Sequence, residues 1–366
     1  MKGSLLTIIF IISGIIFLSN CTIGYGNIEE ETSPNWSANG DFLAVECYVD
    51  GPTEAIAEND LRYFTADAAD ICRIDVNEGK RIRLSKDQGA DKYPVLSPDG
   101  TQIAYIRDDG VYVIHSDGSN QRRLVYQRNA IKEIGNVNWA PDGNQLLFSA
   151  RLENADRNLY LVDTVIGTLV NLTLNNKLQN FSPMWTLNGT AVVFLASDSL
   201  GYAPSKLKVI NADGSGERVI FNRELFYNFV AVSNTGKIFF TTYDLSNDKL
   251  DHLYTMNLDD KEPIELYINN ELPRPSWDIY QWGTPTLSPN EKYLIYEDRG
   301  LLLLDIDTGQ LSKLPLGEPI EGRPSWSPDS QKLAVTVLEN TTGFHTERHI
   351  HILDIQDRTM ESVLRR

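Results

Sequence analysis

The sequence predicts an all-β fold, a seven-bladed β-propeller of four-stranded antiparallel blades. Three observations predict it. One turn signature recurs seven times along the 366 residues. A short, nearly continuous apolar strand follows the copies. Helical periodicity is absent, whereas a sandwich or barrel would not repeat one turn at one period.

The signature opens at Trp36, Leu96, Trp139, Trp185, Val232, Leu287 and Trp326, at intervals of 39 to 60 residues. A four-stranded blade needs about 40–45 residues, so the longer intervals imply loop insertions. Clear copies are Leu96-Ser97-Pro98-Asp99-Gly100 and Trp139-Ala140-Pro141-Asp142-Gly143. Pro presets φ, Asp bonds its own backbone and Gly accepts positive φ, which together make a tight turn. The strand after it is apolar and β-branched or aromatic, as in Gln102-Ile103-Ala104-Tyr105-Ile106 and Ala191-Val192-Val193-Phe194-Leu195. Strands buried on both faces between neighbouring blades read this way. A third strand ends in Asp or Asn, as in Leu159 to Asp163 and Leu301 to Asp305, and a Gly-bearing hairpin leads to a fourth edge strand such as Arg218-Val219-Ile220. Blade one is the poorest copy, with strands expected over Phe42 to Val45, Ile71 to Asp75 and Arg81 to Leu84. Six or eight blades are the alternative parses.

Before the repeats, Met1-Lys2 leads into an apolar run from Leu5 to Leu18. That run suits a secretory signal and is short of the ~20 residues that span a bilayer. The domains are therefore read as a signal peptide over 1–20, an acidic tether over 21–33 and the propeller over 34–366. Leu18-Ser19-Asn20-Cys21 resembles the bacterial lipobox, which implies that Cys21 is lipidated and becomes the mature N-terminus. Cleavage after Gly26 and an uncleaved anchor are the rival readings. All three place the body outside the cytoplasm, as a periplasmic or outer-membrane-anchored protein. There, Cys47 and Cys72 could form a disulfide; two buried free thiols are the alternative.

The repeats carry a resemblance. Pro324-Ser325-Trp326-Ser327-Pro328-Asp329 and Asn138-Trp139-Ala140-Pro141-Asp142-Gly143 resemble the TolB-like propeller repeat, over roughly residues 34–366. The resemblance implies an envelope protein that binds a protein partner. The α/β domain that precedes the TolB propeller is not expected, because the first signature stands at Trp36. The same propeller precedes the hydrolase domain of prolyl-oligopeptidase-like enzymes. No Gly-x-Ser-x-Gly elbow occurs in this chain, and that domain is not expected either.

Catalytic material is sparse. The formal net charge of −17 repels phosphate backbones, so nucleic acid is not expected. The five histidines are His115, His252, His345, His349 and His351. His349 and His351 alternate on one strand and share a face, with His345 and Glu347 near. A metal site is weighed there against solvent-facing histidines, and the solvent-facing reading is adopted: no metal and no cofactor are expected. Oligogalacturonate lyases hold a metal with histidines from several blades, and here the histidines concentrate in one. Asp163, Asp305 and Asp354 at third-strand ends are read as turn caps rather than calcium ligands.

Loops entering the innermost strands should rim one end of the central channel. They carry Tyr93, Asn136, Asn180, Phe181, Tyr227, Asn228, Trp282 and Arg323. Aromatic and Arg side chains on a concave rim resemble binding hot spots. Tyr93, Asn136, Asn180, Tyr227, Trp282 and Arg323 are the candidate binding residues, with blade-to-blade packing as the rival role. The insertion from Tyr267 to Gln281 is a second candidate surface.

The expectation is a monomeric, non-catalytic propeller of the bacterial envelope that binds a protein or peptide. It meets the membrane through its lipid anchor. A carbohydrate-binding or carbohydrate-processing propeller is the first alternative, and a structural subunit of an envelope complex the second.

Overall fold

The structure is a computed structural model. It describes residues 6–12, 15–21, 29–49, 69–87, 89–108, 110–126, 131–152, 156–174, 178–198, 206–222, 226–244, 249–268, 286–297, 300–316, 320–342 and 345–364. They form seven four-stranded antiparallel sheets, each built from strands consecutive in sequence. Blade one comprises Glu29–Trp36, Phe42–Val49, Ala69–Asp75 and Arg81–Arg83. The other blades begin with Asp91–Leu96, Ile131–Trp139, Gln179–Trp185, Phe226–Val232, Thr286–Leu287 and Ile320–Trp326. First strands touch one another at six of the seven blade junctions, so they are the innermost strands around the central channel.

The seven hydrophobic clusters among the described residues are the seven seams between blades. Blades two and three, for example, share Val111, Val113, Trp139, Phe148 and Tyr160. The ring closes where Trp36, Leu43, Val45 and Ile74 of blade one meet Ala334, Ile350 and Val363 of blade seven. No strand from one end of the chain completes a blade from the other end among the described residues. Closure therefore rests on packing. The count of seven is set by these seams.

The signature has two structural jobs. One is the turn. In blade two the Ser97 hydroxyl donates to Asp99 Oδ1 at 2.6 Å and accepts from the Gln102 N–H at 2.9 Å. Gly100 sits at φ 71° with no atom near a hypothetical Cβ, so backbone conformation alone calls for glycine there. The other job is a bolt between blades, which turn chemistry does not reveal. The indole N–H of Trp36 donates to Ser325 O at 2.9 Å, that of Trp139 to Val95 O at 2.8 Å and that of Trp326 to Thr286 O at 3.1 Å. Each acceptor lies just before the signature of the preceding blade.

Cys47 and Cys72 lie on the second and third strands of blade one, fully buried, and are joined by a disulfide across a sequence separation of 25. Outside the ring, Leu6–Ile12 and Ile15–Cys21 pair as an antiparallel hairpin, with Cys21 opposite Leu6. Among the described residues no helix is long and apolar enough to cross a membrane.

Candidate functional site: the channel mouth

Innermost strands around a channel must turn some side chains toward its axis, and bulges are the local device that does so. The register slips between Thr32 and Asn35, Lys92 and Val95, Phe181 and Met184, Tyr227 and Phe229, and Glu321 and Ser325. Pro34, Pro94, Pro183 and Pro324 fall inside four of these slips, where a missing N–H breaks no ladder bond. The bulges also take left-handed backbone: Ser33 at φ 54°, Tyr93 at 56°, Ser182 at 46° and Gly322 at 74°. For non-glycine residues this conformation costs about 1–3 kcal/mol and persists only where the surroundings hold it.

At Tyr93 the holding group is Glu46. Its buried carboxylate Oε1 accepts the Tyr93 N–H at 2.8 Å, and its Oε2 accepts the Thr32 hydroxyl at 3.3 Å. Burial pushes the Glu46 pKa up, while hydrogen bonds from the Tyr93 N–H and the Ser33 and Thr32 hydroxyls, and the charge of Lys92, pull against it. The carboxylate thus clamps the bulge from the neighbouring blade and leaves the Tyr93 side chain 47% exposed. Sequence reasoning missed Glu46. Its signal was a single charged residue inside the apolar run Phe42 to Cys47.

Arg323 belongs to the same mouth. Its side chain is exposed, yet dense surrounding protein desolvates the guanidinium and holds its pKa below the ordinary arginine value, with Tyr93 acting electrostatically in the opposite sense. Accessible to water and walled by protein is what a channel-lining residue should be. Tyr93 and Arg323 thus place an aromatic side chain and a cation in the corresponding first-strand bulges of blades two and seven. Arginine stays a cation at neutral pH.

The remaining candidates separate. Asn180 is fully buried and donates its amide to Arg157 O at 3.0 Å and Leu178 O at 3.1 Å. This corrects the expectation that it binds at the rim: it bonds the backbone at the blade three–four seam. Phe181 is partly buried and packs with the blade four–five core. Asn136, Tyr227 and Asn228 lie on innermost strands, and their side chains are outside those described. Trp282 and nearly all of the Tyr267 to Gln281 insertion also lie outside the described residues.

A salt-bridge network joins the start of the first strand of blade two to the end of its second strand. Arg107 grips Asp91 with two bonds, at 2.5 and 2.7 Å, and reaches Asp87 at 2.9 Å. Asp70 pairs with Arg83 at 2.5 Å. Burial raises the Asp70 pKa to about 6, against the pull of Arg83 and with the help of the Asp91 charge. Asp163, Asp305 and Asp354 cap their turns: Asp163 Oδ1, for example, accepts the Val165 and Ile166 N–H groups, both at 2.8 Å. The histidine face of blade seven does not point to open solvent. His349 and His351 have side chains only 18% and 12% exposed, beside Glu347 and Glu339, which corrects the solvent-facing reading.

The described residues form a seven-bladed propeller with Tyr93 and Arg323 in its innermost strands, and known proteins of similar fold have mixed uses. Residues 37–140 match the family described as the dipeptidyl peptidase IV N-terminal region. An oligogalacturonate lyase from Vibrio parahaemolyticus superposes with a TM-score of 0.68 at 14% identity, over 98% of this chain and 100% of that one. A puromycin-hydrolyzing peptidase from Mycobacterium tuberculosis gives 0.67 at 12%, over 92% of this chain and 53% of that one, so this chain spans about half of the peptidase. TolB from Acinetobacter baumannii gives 0.50 at 17%, over 81% and 76%. No curated protein sequence matches. At these identities the likeness is one of fold. TolB is thus one propeller neighbour among enzymes. The expectation of a non-catalytic protein- or peptide-binding module is corrected here, because the likeness over the full length of both chains runs to a carbohydrate-processing propeller.

Proposed function

We propose that this chain is a carbohydrate-binding or carbohydrate-processing propeller whose channel mouth takes an acidic oligosaccharide. The observation that carries the reading is that exposed Tyr93 and Arg323 occupy corresponding bulges of the innermost strands of blades two and seven. A sugar ring offers an apolar face to an aromatic side chain, and a uronate carboxylate offers two oxygens to a guanidinium. In a walled channel that ion pair is screened less than on an open surface. The full-length likeness to oligogalacturonate lyase supports the same substrate class. Glu46 is the positioning residue that holds the Tyr93 bulge.

We further propose that the body is exported and held at a membrane through Cys21. The apolar leader supports this, as does the buried Cys47–Cys72 disulfide, since such bonds persist in oxidising compartments.

The test is calorimetry and thermal shift of the exported chain with oligogalacturonates and with neutral oligosaccharides of equal length. Binding of the acidic series is expected. Arg323→Ala should weaken it about 10–100-fold, the equivalent of one charge-assisted contact of about 1.5–3 kcal/mol, with an unchanged melting temperature. Ultraviolet absorbance of an unsaturated uronate product would mark processing. Absence of any thermal shift at millimolar acidic oligosaccharide would overturn the reading.

A further inference from the structure

The second and third strands of blade seven, Lys332–Thr342 and His345–Asp354, form a long hairpin. Its register sets Val335 opposite His351, Val337 opposite His349 and Glu339 opposite Glu347. Side chains alternate along a strand, so these six residues share one face. At one end of that face Val335 and Val337 are buried in the blade six–seven core with Leu301, Leu303 and Leu314. Toward the hairpin loop the face turns polar.

There, one carboxylate oxygen from each of Glu339 and Glu347 and one ring nitrogen of His349 all lie within 4.8 Å of one another. His349 Nε2 is 3.6 Å from Glu347 Oε2. His351 Nε2 is 2.8 Å from Glu339 Oε1. All four side chains are partly buried, between 12% and 31% exposed. Two carboxylates directly opposite each other on neighbouring strands repel, and partial burial strengthens that repulsion. A cation between them would remove it.

We propose that Glu339, Glu347 and His349 bind one divalent first-row transition metal, with His351 orienting Glu339. The donors are two oxygens and one imidazole nitrogen with no thiolate. That set suits Zn²⁺ or Mn²⁺ over soft monovalent copper. Four-coordinate zinc would keep one position open, and a carboxylate steadied by a neighbouring imidazole is the outer contact that metal ligands commonly have. The site lies on the two middle strands of one blade, apart from the bulges of the innermost strands, and does not depend on the function proposed for the channel mouth.

The experiment uses the full chain, stripped with a chelator and titrated with ZnCl₂ and separately with MnCl₂. Calorimetry reads the binding, and the Mn²⁺ spin signal reads the free metal. One equivalent with a dissociation constant in the micromolar range or tighter is expected. His349→Gln and Glu347→Gln should each weaken it at least 100-fold. His351→Ala should weaken it about 10–100-fold, as for an outer contact. His115→Ala, on another blade, should leave it unchanged. Zinc-edge absorption of the unmutated chain should report one imidazole among oxygen ligands, a readout that survives if a variant fails to fold. No stoichiometric binding, equal affinity in folded His349→Gln, or a shell of two or more imidazoles would overturn the proposal.

Discussion

Single polar residues decide what the channel mouth is. Glu46 and Asn180 are both buried hydrogen-bonding groups on innermost or adjacent strands, yet their roles differ. Asn180 satisfies backbone carbonyls at a seam, whereas Glu46 holds a left-handed tyrosine whose side chain faces water. Asp70 carries a consequence for pH. Its pKa is 3.8 in the unfolded reference and about 6 in the fold, so the folded state binds the proton more tightly. Its stabilising contribution is complete below pH 3.8 and is lost as pH rises through about 6. Asp70→Asn should therefore flatten the dependence of melting temperature on pH across that window. Parallel curves for variant and parent would assign the dependence to other groups.

At the scale of the element, the signature tryptophan links one blade to the one before. Trp139 and Trp185 are equally buried, at 7% and 8% exposed. Trp139 has its bond to Val95 O, while the buried Trp185 indole N–H has no hydrogen-bond partner among the described residues. In its place the Asn138 amide donates to Pro183 O at 3.0 Å across the same seam. Substituting Phe at each position removes the same atoms and differs in one bond. Trp139→Phe should thus cost about 1 kcal/mol more than Trp185→Phe in chemical denaturation. Equal costs would mean that these indoles act by packing alone.

At the scale of the whole molecule, the ring is closed by side-chain packing at the blade seven–one seam and by the Trp36 bond to Ser325 O. The disulfide sits in that same cluster, because Cys47 and Cys72 pack with Ala334 and Ile350. It ties the blade that must complete the circle. Its removal by Cys47→Ala with Cys72→Ala should lower stability by about 3 kcal/mol, the loop-closure value for a bridge of this span. The urea midpoint of the parent under reductant should fall to that of the double variant. A reductant-insensitive midpoint would show that the closure does not need the bridge.

Much of the architecture was legible in the sequence because it is local. The turn is written within five residues, with Asp or Asn and a residue that takes positive φ, and each strand needs a few apolar residues, so most blades announce themselves within one repeat. Turn capping by Asp163 is equally local. The sites are not. Glu46 meets Tyr93 across 47 residues, and Trp36 meets Ser325 across 289. Glu339 joins Glu347 and His349 only through the register of a hairpin, so the histidine pair alone read as solvent-facing. The sequence by itself determined the repeat, the strand order and the apolar seams. Tertiary structure decided which polar side chains face the channel, which are buried at a seam and which converge, because strand register and blade neighbours are set by the closed ring.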